Sequence, residues 1–479
     1  MKFLGALGIA LLAGLASPGS ASSQTWQPLK NPPSFPVGTI ALLTDGTVLL
    51  HEEQDADPQH WYKLTPDNSG SYVNGTIQPI ASLPSGYGPF FFASVVLPDG
   101  RYIIEGGEYN LGQADWTNMG AIYDPLKNQW TSVNPPTGWN TIGDAPSVVL
   151  SQGAYMQSNC CALQLAVFDA TKLSWRQLNN TGKADGYGQE GWTLLPNGDV
   201  LTIDVSKALN SEIFNPVTKK WTSAGSTIVR LTDSTTTGPM VLRPDGTVYA
   251  TGANSNGAGH TAIYNWKTRK WKAGPNFPDY LDCADAPASL EINGKVIVMT
   301  SAGIFRTGAV FFEWDGKKLT RISGPPNAVN DSSFYGHFLV LPTGQLLFSD
   351  FSTDVEVFTS KGTYKQAWQP TITSVPATVT PGKTYVVKGT QFNGLSQGAA
   401  YGDDFQDATN FPLVRITNNA TKHVFYARTH DFSTMGVATG TKPVSASFDV
   451  PADIETGASS LEVVANGIPS AAASVTVNQ

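Results

Sequence analysis

Residues 240–250 read MVLRPDGTVYA: a short apolar run, a polar turn closed by Gly246, and a second apolar run. The same phrase stands at 41–50 (ALLTDGTVLL), 94–104 (SVVLPDGRYII), 193–203 (TLLPNGDVLTI) and 339–348 (LVLPTGQLLF). With two weaker copies, the turn glycines are Gly46, Gly100, Gly153, Gly198, Gly246, Gly294 and Gly344, about 45 to 54 residues apart. Asp-Gly or Asn-Gly between apolar runs is a strong hairpin signal, because both residues tolerate φ > 0. A hairpin recurring at this period predicts an all-β chain built as a seven-bladed β-propeller.

A second phrase recurs further along each unit. It reads AIYDPLKNQW (121–130), AVFDATKLSW (166–175), EIFNPVTKKW (212–221) and AIYNWKTRKW (262–271), with weaker copies near Trp61, Trp314 and Phe358. An aromatic on the third strand, a polar turn and an aromatic on the fourth give each blade its own wedge of core. One such blade cannot cover both of its faces, whereas blades stacked in a ring cover one another.

Composition agrees. The 479 residues exceed one core and suit a large domain plus a smaller one. Abundant Gly (47) and Pro (32) and only 14% charged residues suit short strands and tight turns. A net charge of −8 excludes a nucleic-acid footprint. Residues 1–21, MKFLGALGIALLAGLASPGSA, carry a basic start, a short apolar run and small residues, and are expected to be a secretory signal rather than a membrane span. The chain is therefore expected to be extracellular or periplasmic, with no membrane span. Sequons begin at Asn74, Asn179, Asn330 and Asn419. Of three cysteines, Cys160 and Cys161 are adjacent; a vicinal disulfide and two small buried thiols are both admissible.

The propeller is expected over 32–368, after an N-terminal arm at about 22–31. From 371 to 479 the phrases stop. Runs such as TYVVKG, PLVRIT, HVFYAR and VSASFDV alternate between turns and predict an immunoglobulin-like sandwich.

In a propeller, residues before the inner strand and after the second strand share one face around the channel. Here these positions are acidic. Before inner strands stand Asp144, Glu190, Asp233, Asp282, Asp285 and Tyr335; after second strands stand His51, Glu52, Glu53, Glu105, Glu108, Asn159, Asp204 and Asp350. Carboxylates crowded at a mouth repel, and some pKa values should rise. A pair of them suits glycoside chemistry, several together suit Ca²⁺, and Trp192, Tyr335 or Phe91 would offer a sugar a flat apolar face. Glu190 and Asp285 are the candidate catalytic carboxylates, and Tyr335 and His337 the candidate bases. His51, Glu105, Asp144, Asp204, Asp350 and Arg306 are the candidate substrate-binding groups, Arg306 through a bidentate contact to an acidic sugar. Any single acid has a plainer role, capping backbone N–H groups at frayed strand ends.

GPFFFASVVLPDGRYIIEGG (88–107), YGHFLVLPTGQLLFSD (335–350), FPLVRITNN (411–419), FDVPADIETGASSLEVVANGIPSA (448–471) and the order of the two domains resemble galactose oxidase and its relatives. That family couples a seven-bladed kelch propeller to an immunoglobulin-like, E-set C-terminal domain; the closer likeness is to secreted bacterial kelch proteins of this architecture. The resemblance implies a copper-radical centre only where a Cys cross-links to a Tyr, a Tyr-His pair precedes the last hairpin, and the C-terminal domain supplies a His. FPVGTIALLTDG (35–46) holds no Cys, and the last hairpin is preceded by Phe334-Tyr335-Gly336-His337. His423 and His430 are the second-domain candidates. Copper is disfavoured and Ca²⁺ remains admissible. The expected function is to bind or modify carbohydrate, by hydrolase or lyase chemistry if an enzyme. The alternatives are a non-catalytic extracellular scaffold and an oxidoreductase with an altered metal centre.

Overall fold

The computed structural model describes residues 24–53, 58–233, 236–254, 257–404 and 407–479. The expected signal, 1–21, lies outside them. Among the described residues, seven antiparallel sheets of four or five strands follow one another along the chain. The innermost strands are Val37–Leu42, Ala93–Val96, Ser147–Val149, Thr193–Leu194, Met240–Leu242, Ala288–Leu290 and His337–Val340. The last packs against both the first and the sixth, so the series closes into a β-propeller. Every residue of these strands is buried, which explains why they lack the polar-apolar alternation of a strand with one wet face: a neighbouring sheet covers each face. Outer strands such as Gln129–Val133 bury only Trp130 and Val133 and turn the rest to solvent.

All seven turn glycines adopt φ between +78° and +89°. In each turn the glycine N–H donates to the carbonyl three residues back, as from Gly46 to Leu43 (3.1 Å) and from Gly344 to Leu341 (2.9 Å). The residue before the glycine does not share the positive φ expected of it. The turn is a three-residue loop closed by a left-handed glycine, and the aspartate has another task. Asp45 Oδ1 accepts from Thr47 N (3.0 Å) and Thr47 Oγ1 (2.6 Å).

The second phrase forms cross-strand aromatic pairs. Tyr123 faces Trp130, Phe168 Trp175, Phe214 Trp221 and Tyr264 Trp271 in register. Their ring centroids lie 5.1, 4.8, 5.2 and 5.0 Å apart, the tilted contact that aromatic rings favour. The N-terminal arm closes the ring: Thr25–Pro28 pairs with Glu356–Thr359 as the outermost strand of the seventh sheet. Trp26 fastens it, within 4.7 Å of the Phe358 ring and donating from Nε1 to Ser323 O (2.7 Å).

Strands between Thr371 and Val477 form a separate hydrogen-bonded system with its own core around Val387, Val414, Phe448 and Val463. It rests on the hairpin side of the ring. Thr429 N donates to Thr44 O (3.1 Å), and Met435 N to Ser151 O (2.9 Å).

Candidate functional site

One segment leaves this C-terminal system and runs up the channel. Gln397 Oε1 accepts from Leu194 N (2.7 Å), Leu290 N donates to Gly398 O (2.8 Å), and Ala399–Ala400 pairs with Ser289 and Ala288 as a fifth strand of the sixth sheet. Gly402 passes so close to the ring that a Cβ there would lie 2.8 Å from Thr237 O and 3.1 Å from Asp285 Cα; only glycine fits without displacing backbone. Tyr401 OH donates to Phe334 O (2.9 Å). Asp403 and Asp404 follow, 3% and 0% exposed, and Thr409 N returns the chain to Gln397 O (2.7 Å).

At the tip of this segment Asp403 and Asp404 meet Asp144 of the ring, with one oxygen from each within 4.8 Å of the others. Asp144 Oδ2 accepts from Gln189 Nε2. Burial pushes the Asp144, Asp285 and Asp403 carboxyls up, and the charges of Asp403 and Glu108 add to the rise at Asp144 and Asp285. Glu108, half-buried, is also raised, first by burial and then by Asp403. The expected acidic mouth therefore exists in part, centred on Asp144 and Asp285. Tyr401, Asp403 and Asp404 complete it and were not among the expected residues.

Two expected members lie elsewhere. Glu190 and Asp204 are fully buried around Lys183, whose Nζ stands 3.3 Å from Glu190 Oε1, 3.9 Å from Asp204 Oδ1 and 3.0 Å from Glu212 Oε2, and also pairs with Asp185. Thr202 Oγ1 donates to Glu190. Burial leads Lys183 Nζ's neighbours Glu190 and Asp204 to about 8 and about 7, with Lys183 opposing. Glu190 is thus an ion-cluster residue closed off from the channel, not an exposed catalytic carboxylate.

The other expected residues divide similarly. His51 is buried inside the first sheet, stacked on Trp61 (4.5 Å), with Nδ1 3.0 Å from Glu53 Oε1 and Nε2 2.7 Å from Pro58 O. Glu105 is 0% exposed and raised by burial, and a Cβ on Gly120 would strike it. Asp350 belongs to a separate group. Asn327 Nδ2 donates to Asp350 Oδ2 and Asp331 Oδ1 (3.0 Å each); burial and then the charge of Asp350 raise Asp331, and burial with the charges of Asp354, Asp350 and Asp331 raises Glu356. Asp282 caps backbone, accepting from Asn254 N (3.0 Å) and Ala284 N (3.3 Å). Arg306 is exposed beside Phe305. His423 and His430 belong to the C-terminal sheet on the hairpin side, paired with Glu455 (2.6 Å) and with Asp431 (2.8 Å) and Asp449 (3.2 Å), so neither reaches the mouth.

Tyr335 and His337 do stand by the channel. His337 is buried, its Nδ1 3.2 Å from Tyr335 O, and burial holds it down at about 3, which makes it a neutral ring at ordinary pH. Tyr335 is half-buried in a contiguous aromatic track. Ring centroids run from Phe305 to Phe334 (5.5 Å), Phe334 to Tyr335 (4.3 Å), Tyr335 to Phe351 (5.4 Å), Phe351 to Phe91 (6.0 Å) and Phe91 to Tyr109 (6.3 Å). Phe305 is 80% exposed. Phe91 and Phe351 hold φ of 50° and 60°, a conformation costing bulky residues about 1–3 kcal/mol and typical of functional sites. Trp192, also expected to face a ligand, is 1% exposed in the core.

Beside this track opens a cleft of about 430 Å³ lined by Glu108, Trp116, Asp144, Cys160, Cys161, Asp185 and Gln189. Trp116 is 54% exposed. Cys160 and Cys161 are joined as a vicinal disulfide, and Cys283 is a buried thiol. A larger cleft of about 760 Å³ lies along the sixth sheet between Gln24, Lys295, Glu313 and Arg321; it shares no residue with the acidic mouth and gathers no comparable set of reactive groups.

Neither a protein-family model nor a curated protein matches the sequence. Solved structures match in fold. A fungal alcohol oxidase of the AA5 family in complex with copper is 14% identical, with 95% of this chain and 100% of that one covered and a TM-score of 0.54. A catalytically inactive virginiamycin B lyase from Staphylococcus aureus, with quinupristin, is 9% identical over 71% of this chain and 100% of that one, at a TM-score of 0.50. The chain thus has a galactose-oxidase-like β-propeller fold, and fold alone assigns no chemistry. The residues do not fit a copper-radical centre. The disulfide and the burial of Cys283 leave no cysteine to link to a tyrosine at the mouth, and the three donors that come within 4.8 Å of one another there, Asp144, Asp403 and Asp404, are carboxylates, which suit hard cations better than copper. Among the described residues no helix is long and apolar enough to cross a membrane.

Proposed function

We propose that this chain is a secreted kelch-type propeller (32–368), backed by an immunoglobulin-like domain (371–479), that binds or modifies carbohydrate at the channel mouth. The observation that carries this reading is the adjacency of an aromatic track, Phe305 to Tyr109, and an acidic cleft holding Glu108, Asp144 and exposed Trp116. A sugar ring presents one apolar face to aromatic rings and its hydroxyl groups to carboxylates. Asp285 and Tyr335 are the groups best placed for proton transfer, since Glu190 is engaged with Lys183.

The test is a glycan array with wild type, Trp116→Ala and Glu108→Gln. Retention of a glycan class by wild type, lost by both variants at unchanged melting temperature, supports the reading. No retention of any glycan overturns it. The scaffold reading draws support from Asp282, whose two carboxylate oxygens are spent on backbone N–H groups.

A further inference from the structure

The chain shows in one place how it neutralises clustered acids by itself. Lys183 places Nζ among Asp185, Glu190 and Glu212. The cluster at the channel tip is built differently. Asp144 is 5% exposed and makes no ion pair with Lys, Arg or His among the described residues. Its Oδ2 accepts from Gln189, while Oδ1 is buried with no hydrogen-bond partner there. One oxygen each of Asp144, Asp403 and Asp404 lies within 4.8 Å of the other two. Oxygens on opposite sides of one calcium ion stand about 5 Å apart, twice the roughly 2.4 Å Ca–O distance, so all three carboxylates fit a single coordination sphere. Asp144 also lines the open cleft with Glu108, which gives an ion an entry path and leaves room for the water ligands such ions keep.

We propose that Asp144, Asp403 and Asp404 bind a divalent cation of the calcium class. Asp144 comes from the ring and the aspartate pair from the segment that climbs the channel. The ion therefore ties the C-terminal system to the far face of the propeller and fixes the floor of the cleft. All its protein donors are anionic oxygens, the set hard cations prefer to softer metals. The inference stands apart from the carbohydrate reading, because ion binding is measured without a sugar.

The experiment uses the full chain, treated with EDTA and desalted, then titrated with CaCl2 by calorimetry. MgCl2 follows as a second arm. A parallel titration reads sensitised terbium emission, for which Tyr401, two residues from Asp403, is a donor, and calcium is added to displace the terbium. Expected are one calcium per chain, a rise in melting temperature with calcium, and an affinity loss of about tenfold or more in Asp144→Asn and Asp403→Asn. Wild type that takes up neither calcium nor terbium overturns the proposal without reference to any variant. So does undiminished binding in both variants, or binding of magnesium in preference to calcium.

Discussion

Tyr401 lies face to face with His337, ring centroids 5.8 Å apart and planes inclined by 16°. One ring belongs to the segment that rises from the hairpin side; the other opens the innermost strand of the seventh sheet. The stack, with the bond from Tyr401 OH to Phe334 O, holds the segment against the aromatic track. Tyr401→Phe keeps the ring and leaves a carbonyl short of its donor, at a cost of about 1–2 kcal/mol. Tyr401→Ala removes the stack as well and should cost about 3–5 kcal/mol. Urea unfolding of both variants checks the order; equal midpoints for Tyr401→Ala and wild type would show that the segment is not packed as described.

Stability should fall as pH rises from the acid side. Burial and neighbouring acids push Glu356 up to about 9 and Asp331 to about 8; burial likewise takes Glu190 and Glu291 to about 8. The unfolded chain releases these protons near pH 4 to 4.5, so between there and pH 8 to 9 the native state binds more protons and loses stability with every step upward. His337 acts in the opposite sense. Held at about 3, it contributes stability that is present above pH 6.5 and lost as pH falls toward 3. Four carboxyls outweigh one imidazole, so the melting temperature should be higher at pH 5 than at pH 8.5. Glu356→Gln, which removes a buried carboxyl crowded by Asp354, Asp350 and Asp331, should gain more at pH 8.5 than at pH 5. An equal effect at both would refute the assignment.

The ring was legible because its signals are local: a turn glycine recurs in each unit and an aromatic pair seven residues apart in four of them, as Gly198 and Phe214–Trp221 show. The mouth was half legible. Asp144 and Asp285 follow from strand position, but Glu190 and Asp204 satisfy the same rule and point instead into the Lys183 cluster. Successive residues at a strand end alternate in direction, and position along the chain does not say which way a side chain faces. Tyr401, Asp403 and Asp404 were missed because a segment threading a channel makes only distant contacts and leaves no period. The signal available was GLSQGAAYGDD (394–404), glycine-rich and acidic where a sandwich strand would alternate.

Lys183 should be among the least replaceable charges. Its side chain is 0% exposed and contacts four carboxylates, with the ammonium 5.3 Å from the Tyr187 ring and 5.5 Å from that of Trp221. Lys183→Met leaves those acids buried without their cation, a loss of about 3–5 kcal/mol. Adding Glu190→Gln and Glu212→Gln should restore part of it, because the uncompensated charge is then gone. Chemical denaturation of the single and triple variants decides; a triple variant weaker than the single would mean that the acids serve packing and not charge balance.

Ring closure rests on Trp26, which joins the first described strand to the last blade. Trp26→Ala deletes four aromatic contacts, including those to Phe311 and Phe348, and should cost about 3 kcal/mol or more. Because the latch lies on the outermost strand, the change should speed hydrogen exchange first in Glu356–Thr359, its pairing partner. Uniform acceleration throughout the ring would argue against a local latch.

Phe305 separates binding from stability. Its ring is 80% exposed and its one ring contact among the described residues is with Phe334, so Phe305→Ser should change unfolding free energy by no more than about 0.5 kcal/mol. If the track receives an apolar sugar face, losing one stacking ring costs about 1 kcal/mol of binding, roughly a fivefold weaker Kd. Titration of wild type and variant with the same glycan, alongside their melting curves, checks both halves. A weaker Kd at an unchanged melting temperature assigns Phe305 to the ligand, whereas equal affinities would confine the ligand to the Trp116 side of the cleft.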